Sequence, residues 1–316
     1  SPVAASVHGL LKTASLEWPS IACSVVDVEN VDDIERVIAE ELRAGFLDVE
    51  VVRARDGRFA PVVVERAVSR RDARKLGRDD VVIASGGARG VTATTLLALA
   101  RASRCSFVLL GRTPIVDEPA CCVGVVDEAA LKRALIDDSK RNGRPIALAH
   151  IGEQAKAVVA VREIRAFVAD LERAGSRVVY RAVDVRDVDA VKRACDDGRA
   201  AFGAITAIVH GAGVLADKRI EDKTRDQVDR VMDTKVLGLH ALIAATRDDP
   251  VDVIALFSSV AGRFGNVGQV DYAMANEVLN LVACAERARR GAGCAVRSIG
   301  WGPWEGGMVT PSLKAH

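Results

Sequence analysis

The chain has 316 residues, enough for one large α/β domain with a smaller unit attached to it. Its 44 basic and 43 acidic residues nearly cancel, so the charge favours neither a nucleic-acid nor a membrane-surface partner. Seven cysteines without a CxxC pair argue against a disulfide framework and a zinc site. Because the sequence shows neither a signal-peptide profile nor an apolar run of membrane-spanning length, we expect a soluble, cytoplasmic protein without a metal site.

The first 64 residues predict a small α/β unit. ACSVVDV is typical of a strand, a helix is expected from about Val31, and two strands flank RDGR, where Asp56-Gly57 favours a hairpin turn. The polar stretch 65–80 is typical of a linker. We therefore predict a first unit over residues 1–70 and a second, larger one over residues 80–316.

From residue 81 onward, apolar β-branched runs alternate with amphipathic helical patterns. Such runs suit strands covered on both faces, and they predict a parallel, doubly wound sheet. The predicted strands are VVIAS, SFVLLG, RVVYRAVDV, ITAIVHGAG, VIALFSS and AVRSIGW.

One connection in this pattern is too long for a single crossover helix, since 65 residues separate Gly111 from Arg177. Within it, DEAALKRALIDDSKRN is typical of a helix, and REIRAFVADLERAG predicts the crossover helix itself. We assign an insertion to about 114–160.

The stretch SGGARGVT, residues 85–92, joins the first of these strands to a helix. Glycines there let the backbone approach a pyrophosphate, and the helix N-terminus adds favourable amide dipoles, so the context predicts a dinucleotide site. The cofactor contacts assigned to this turn are Ser85, Gly86, Gly87, Arg89, Gly90 and Val91.

The next strands predict which dinucleotide binds. The second strand ends in LLGRT without an acidic residue for a ribose hydroxyl, whereas Arg112, assisted by Arg89, suits a 2′-phosphate. This favours NADPH over NADH; the alternative is that both arginines are solvated surface residues. Asp184, followed by Val185, could accept from the adenine amino group or cap a turn. His210 is more often a packed structural residue than a catalyst in such a position.

The stretch QVDYAMANEVLN raises the question of catalysis. Tyr272 could donate a proton, but the residue four positions later is Asn276, where a lysine would be expected. A phenol with a pKa near ~10 needs a nearby cation to release a proton at neutral pH. If Tyr272 is catalytic, its cation must come from elsewhere in the chain.

The order of these motifs resembles the short-chain dehydrogenase/reductase superfamily, and within it the ketoreductase domains of polyketide and polyunsaturated fatty acid synthases. The similar stretches are GLLKTASLEWP, SGGARGVT, VHGAGVLADKRIEDKT and FSSVAGRFGNVGQVDYAMANE. In those domains the lysine lies upstream, which implies a catalytic tetrad here of Lys235, Ser259, Tyr272 and Asn276. Ser258 competes with Ser259, but the spacing to the tyrosine favours Ser259. Tyr272 and Asn276 lie one helical turn apart and share a face.

The resemblance implies reduction of a β-ketoacyl thioester, carried on an acyl carrier protein within a multidomain synthase, to the (3R)-alcohol. It also implies that the first unit is a structural subdomain without a cofactor. Further implied cofactor contacts are Gly211, Ala212, Gly213, Gly302 and Pro303, together with Lys235 and Tyr272. Residues implied in substrate binding and stereocontrol are Asp217, Phe264 and Met308.

The sequence departs from the family pattern at Thr92, where the superfamily's cofactor loop has its last glycine, so we expect less room at the helix start. Two other functions stay open. An extended-type reductase or epimerase of small carbonyl compounds usually keeps a lysine four residues after the tyrosine. A catalytically silent structural ketoreductase generally loses a tetrad member or the glycine loop.

Overall fold

The computed structural model describes residues 2–45, 48–67, 74–143 and 147–304. Its larger part is a six-stranded sheet, in which every neighbouring pair of strands is parallel. The strands are β4 (Val81–Ser85), β5 (Ser106–Gly111), β6 (Val178–Ala182), β7 (Ala207–His210), β8 (Val253–Ser259) and β9 (Ala295–Trp301). All six lie within the runs predicted from the sequence.

The order across this sheet is β6-β5-β4-β7-β8-β9, so the direction of winding reverses between β4 and β7. In doubly wound sheets, ligands bind at the carboxyl ends of the strands beside such a reversal. The predicted fold class, a doubly wound parallel sheet of the Rossmann type with a small N-terminal α/β subdomain, is confirmed.

Helices cover both faces of the sheet, which is why its central strands are mostly apolar. One face packs against α6 (Val188–Phe202), α7 (Arg225–Ala245) and α9 (Val270–Arg290) through Val191, Leu239 and Leu279. The other face packs against α3 (Gly90–Ser103) and α5 (Leu148–Arg173) through Leu96 and Ile164. A short helix, α8 (Val260–Phe264), follows β8.

The predicted insertion after β5 contains a helix of its own. The sequence DEAALKRALIDDSKRN forms α4 (Glu128–Arg141), as predicted, and Asp127 caps it by accepting from the Ala130 N–H. The crossover helix α5 begins at Leu148, well before the predicted REIRAFVADLERAG segment. The reason is a small separate core, in which the first turns of α5 pack against α4. Its buried members are Cys122, Leu131, Leu135, Ile151, Ala155 and Val158.

The N-terminal part forms a three-stranded sheet. Strand β1 (Val25–Val28) pairs in parallel with β2 (Glu50–Ala54), and β2 pairs with β3 (Gly57–Phe59) in the predicted hairpin. The helix expected from Val31 is a 3-10 turn over Val31–Asp33 followed by α2 (Ile34–Ala44). Residues 68–73 of the predicted linker lie outside the described residues.

The first helix, α1 (Pro2–Glu17), packs along α9 of the larger part. A side chain at Gly9 would lie 2.5 Å from the backbone of Ala273, so only glycine permits this approach. Beside it, Lys12 Nζ lies 2.8 Å from Glu50 and 3.3 Å from Glu277. His8, Glu50 and Glu277 have spacing that could hold a metal ion, but the ammonium of Lys12 supplies a positive charge there. The exact domain boundaries stay a prediction.

All seven cysteines lie within the described ranges and are free thiols. In the same ranges, no helix has both the length and the apolar character needed to span a membrane.

Candidate active site

The turn between β4 and α3 is close-packed at its glycines. Gly86 has a φ of +66°, and a side chain there would meet the backbone of Ala212 at 2.8 Å. Gly90 has a φ of +61°, with nothing within 4 Å of an added Cβ, so its glycine is required by conformation alone. Arg89 precedes α3 without a side-chain cap, so the first N–H groups of the helix are available to an anion. This cradle fits a dinucleotide pyrophosphate.

The remaining assigned residues of this turn lie mostly beneath it. Ser85 is fully buried, and its hydroxyl lies 2.7 Å from His210 Nδ1. Gly87 lets α3 pack closely on the sheet, since a side chain there would lie 3.1 Å from Leu96. Val91 is partly buried against the core below α3.

The segment after β7 completes the cradle from the other side. A side chain at Gly211 would lie 2.3 Å from Thr92 Oγ1, and one at Gly213 would lie 3.1 Å from Lys235 Cε. Ala212 donates its N–H to Ser85 Oγ at 3.4 Å. The expected crowding at Thr92 is therefore real, and the missing side chain of Gly211 accommodates it.

The residues assigned to the adenosine end lie after β5 and β6. Arg112 is exposed, and Arg89 forms an ion pair with Glu163 at 2.5 Å. The carboxylate of Asp184 is held by the Arg186 guanidinium at 2.6 to 3.1 Å, and the pKa of Asp184 is lowered by that contact. It also accepts the backbone N–H of Arg186 at 3.0 Å, so the turn-capping role left open for it is present. Val185 is buried. The adenine contact stays a prediction.

His210 is a structural residue, as its position suggested. It is fully buried, and its Nε2 lies 2.8 Å from the carbonyl oxygen of Lys235. Burial and the nearby Lys235 charge lower its pKa to about 3, so the ring is neutral. The neutral ring links the end of β4, through Ser85, to the helix that carries Lys235.

Lys235 projects from α7 toward the end of β8. Its Nζ donates to the carbonyl oxygen of Phe257 at 2.9 Å and lies 5.3 Å from the centre of the Tyr272 ring. Burial lowers its pKa to about 8. A lysine therefore lies beside the tyrosine although position 276 is asparagine. The role of Lys235 in lowering the pKa of Tyr272 stays a prediction.

Tyr272 and Asn276 lie on one face of α9. Burial raises the pKa of Tyr272, while the neighbouring side chains of Asn276 and Ser259 act to lower it. Asn276 is fully buried, and its Nδ2 donates to the Tyr272 carbonyl oxygen at 2.8 Å. Its Oδ1 has no hydrogen-bond partner among the described residues. A buried polar atom of this kind is a position where a bound water or ligand group fits.

The two adjacent serines at the end of β8 point in different directions. Ser258 is buried and donates to the carbonyl oxygen of Asn276 at 3.1 Å. Ser259 accepts the N–H of Ala261 at 3.2 Å, which caps α8, and donates to the carbonyl oxygen of Trp301 at 3.5 Å. Ser259 lies close enough to Tyr272 to act on its pKa, whereas the Ser258 hydroxyl is engaged by the Asn276 carbonyl oxygen. The choice of Ser259 as the catalytic serine stays a prediction.

Two of the predicted substrate residues, Asp217 and Phe264, are exposed. Asp217 accepts from Gln269 Nε2 at 3.1 Å, and its charge acts on Tyr272. Phe264 is 60% exposed at the end of α8. Gly302 and Pro303 are exposed directly after β9. Met308 lies outside the described residues.

Two features of this site were missed by the sequence analysis. Glu17, at the end of α1, accepts the N–H groups of Ile220 and Gly268, each at 2.7 Å. Lys223 forms a buried ion pair with Asp271 at 2.9 Å. The only local signal for the second was an acidic residue directly before the tyrosine.

A doubly wound sheet with a glycine turn at the reversal of strand order, and a tyrosine, serine and lysine beside it, defines an oxidoreductase of the short-chain dehydrogenase/reductase type. Residues 81–306 match the KR domain, and the chain belongs to that family of ketoreductase domains. A nicotinamide cofactor follows from this membership.

Relatives of the chain are synthases. It is 36% identical over 324 aligned positions to a polyunsaturated fatty acid synthase polypeptide of Thraustochytrium sp., covering 98% of this chain and 11% of that protein. It is 28% identical to polyketide synthase PksL of Bacillus subtilis, covering 86% of this chain and 5% of that protein. The chain thus spans a small fraction of these relatives.

Among solved structures, a ketoreductase domain from the bacillaene assembly line is similar, with a TM-score of 0.74 and 25% identity. The match covers 98% of this chain and 65% of that one.

Proposed function

We propose that this ketoreductase domain uses NADPH to reduce a β-ketoacyl thioester to the (3R)-β-hydroxyacyl thioester. The observation that carries the proposal is the convergence of Lys235, Ser259 and Asn276 on Tyr272 beside a glycine cradle. If these side chains lay far from one another, the glycine cradle could still bind a dinucleotide, but no group would be positioned to protonate a ketone.

The cofactor preference rests on charge at the adenosine end. Arg112 is exposed after β5 and Arg89 lies in the glycine turn. Guanidinium groups match phosphate geometry, so a 2′-phosphate between them forms charge-assisted hydrogen bonds that a hydroxyl cannot. Arg89 would exchange its contact with Glu163 for the phosphate. The bound nicotinamide supplies a hydride to the ketone carbon.

Tyr272 acts as the general acid. Its hydroxyl donates a proton to the ketone oxygen as negative charge develops there, and the Ser259 hydroxyl donates a hydrogen bond to the same oxygen. Lys235 stabilises the phenolate that remains, which requires the lysine to be charged. With a pKa of about 8, Lys235 is mostly protonated at neutral pH and can still transfer a proton.

Asn276 supports proton resupply. Its amide group is held by the Tyr272 carbonyl oxygen, and its Oδ1 is buried without a partner among the described residues. A water molecule bound at Oδ1 would return a proton to the site after each turnover.

The substrate is carried on an acyl carrier protein of the same synthase. This part of the proposal rests on the relatives, which are multidomain synthases of which the chain spans a small fraction. A thioester arm delivers its ketone to the exposed rim formed by Asp217 and Phe264.

The test is turnover of a β-ketoacyl thioester by the purified chain with NADPH. The reaction is monitored by the loss of NADPH absorbance. We expect reduction of the thioester at a rate at least about tenfold above that of a free ketone of similar size. Equal rates with both would indicate a small-molecule reductase. Tight NADPH binding without any turnover would indicate a silent structural domain.

A further inference from the structure

A buried ion pair connects two segments that border Tyr272. Lys223 Nζ lies 2.9 Å from Asp271 Oδ2, and the side chains are 2% and 0% exposed. Lys223 also donates to the carbonyl oxygen of Ala216 at 2.8 Å. The other carboxylate oxygen of Asp271 accepts the backbone N–H of Tyr272 at 2.8 Å. One ammonium group therefore joins the loop after β7 to the first turn of the tyrosine's helix.

The backbone of Lys223 is itself held in place. It follows a 3-10 turn over Ile220–Asp222 and directly precedes Thr224, the N-cap of α7. Thr224 and Gln227 form a capping box, in which each side chain bonds the other residue's backbone N–H. Because α7 also carries Lys235, the position of the Lys223 ammonium is set by the helix that supplies the catalytic cation.

The loop that Lys223 contacts is the 214–218 loop, which carries Asp217. Its outer end is held against the segment before α9. The Lys218 N–H donates to the carbonyl oxygen of Gly268 at 2.8 Å, and Gln269 Nε2 donates to Asp217 at 3.1 Å. Asp217 itself is exposed, whereas the side chain of Lys223 is 2% exposed.

Stability alone gives little reason for this pair. Removing two charges from water costs several kcal/mol per ion, and well-packed apolar residues in place of such a pair are often as stable or more so. A charged pair differs from an apolar one in that its partners meet in a single geometry. The best-attested use of buried ionic groups is this kind of structural register.

We propose that Lys223 and Asp271 are positioning residues that hold the 214–218 loop in register with Tyr272 and thereby fix the approach of the acyl substrate. This inference rests on the proposed reduction of an acyl thioester. The side chains of Lys235, Ser259 and Asn276 are held by other contacts. The pair therefore acts mainly on substrate affinity and on the face of the ketone that meets the hydride.

The central variant is the neutral pair Lys223→Met/Asp271→Leu, which removes both charges and retains volume. The single variant Lys223→Met leaves a carboxylate buried without its cation and can fail to fold for that reason. The control is Asp249→Asn, which breaks a largely buried ion pair with Arg199 at the opposite end of the sheet. This control shows how a general loss of stability changes the KM values, the enantiomer ratio and the hydrogen exchange.

Three quantities are compared between the parent and these variants. For the neutral pair we expect the KM for the thioester and the share of the minor alcohol enantiomer each to rise about tenfold. The KM for NADPH should stay within about twofold of the parent. Amide hydrogen exchange over residues 214–218 should be at least about tenfold faster, with the core of the sheet unchanged. Asp249→Asn should leave all three at parental values.

A folded neutral pair with parental thioester KM, enantiomer ratio and loop exchange overturns the proposal. So does an equal change in the Asp249→Asn control, because that indicates general destabilisation. If the parent itself reduces no thioester, the proposed function fails, and hydrogen exchange decides the positioning role separately. Parental exchange over residues 214–218 in the neutral pair then overturns it.

Discussion

The side chain of Thr92 fills the space that a side chain at Gly211 would need. An added Cβ at Gly211 would lie 2.3 Å from Thr92 Oγ1 and 2.8 Å from its Cγ2. These two residues belong to the two turns that form the cofactor cradle, one after β4 and the other after β7. The departure from glycine at the start of α3 is therefore compensated on the neighbouring strand.

This contact predicts that Gly211→Ala is destabilising and that Thr92→Ala rescues it. Overpacking of this kind costs about 1–3 kcal/mol. Thr92→Ala removes the two closest atoms and leaves only the Ser85 carbonyl oxygen at 3.2 Å. We expect the single variant to lower the melting temperature and to weaken NADPH binding, and the double variant to recover most of both. Thermal unfolding and fluorescence titration with NADPH measure the two effects.

The matched control is Gly152→Ala in α5, where nothing lies within 4 Å of an added Cβ. Alanine in a helix is more favourable than glycine by roughly 0.5–1 kcal/mol, so this variant should be slightly more stable than the parent. A Gly211→Ala variant as stable as this control would mean that the two turns do not press against each other.

Arg112→Ala is expected to weaken the preference for NADPH. A lost hydrogen bond to a charged phosphate costs about 1.5–3 kcal/mol, which raises the KM for NADPH about tenfold or more. The KM for NADH should hardly change, because NADH has no 2′-phosphate. Steady-state kinetics with both cofactors make the comparison. Arg181→Ala is the control, since this arginine pairs with Asp197 at 2.6 Å; equal effects on both cofactors would argue against the assignment of Arg112.

Tyr272→Phe is expected to abolish reduction and to spare cofactor binding. General acid catalysis contributes roughly 10² to 10⁴ in rate, and the buried ring of phenylalanine keeps the packing of α9. The chain's other tyrosine supplies the control: Tyr180→Phe removes a hydroxyl that donates to the Thr113 carbonyl oxygen, and it should retain turnover at saturating NADPH. A Tyr272→Phe variant that binds NADPH normally and keeps more than about a tenth of the parental kcat would exclude this tyrosine as the acid.

The sheet could be predicted from the sequence because its signal is local. Runs such as VVIAS and SFVLLG are uninterrupted by polar residues, and their burial on both faces explains that composition. The early start of α5 could not be predicted in the same way. Its first turns gain their stability from packing on α4, through residues such as Leu131 and Ile151 that are distant in the chain.

The candidate site likewise has features that the sequence indicates and features that it does not. The spacing of Tyr272 and Asn276 is a helical property and is visible in the sequence. The ion pair of Lys223 with Asp271 joins residues far apart in the chain, and the acidic residue before the tyrosine does not by itself indicate its partner. The sequence predicts an adenine contact for Asp184, but Arg186, two residues later, binds the same carboxylate. The two interactions compete for one side chain.

The stability of the protein should depend on the charge of Lys235. The pKa of Lys235 is about 8 in the folded chain, whereas its ordinary value is 10.5. Keeping Lys235 charged in the folded state therefore lowers the free energy of unfolding by roughly 3 kcal/mol. Below pH 8 both states are protonated and the full cost applies. Between pH 8 and 10.5 the unfolded state binds more protons, so this contribution makes the protein more stable as the pH rises.

Lys235→Met removes this cost together with catalysis. We expect the variant to be inactive and, at neutral pH, at least as stable as the parent. As the pH rises from about 7.5 to about 9.5, the free energy of unfolding of the parent should increase relative to that of the variant. Denaturant unfolding of both proteins across this range measures it. A difference that is independent of pH would mean that Lys235 keeps its ordinary pKa in the folded chain.

The product is expected to be the (3R)-alcohol. The supporting residues are Leu215, Ala216 and Asp217, which resemble the L-x-D signature of ketoreductases that give this configuration, and Phe264, where the opposite type has tryptophan. Asp217 is held beside Tyr272 by Gln269, and Phe264 is exposed at the rim. Because the cofactor and tetrad are fixed, the face of the ketone that meets the hydride depends on the side from which the thioester enters.

Reduction of a β-ketoacyl thioester with NADPH, followed by chiral chromatography of the alcohol, measures this directly. We expect the 3R enantiomer to exceed the 3S enantiomer by at least about tenfold, which corresponds to about 1.4 kcal/mol between the two transition states. Phe264→Trp introduces the residue of the opposite type at an exposed position and should lower that ratio, since the larger ring obstructs one approach. Predominant 3S product from the parent would refute the stereochemical assignment and leave the roles of Tyr272 and Lys235 intact.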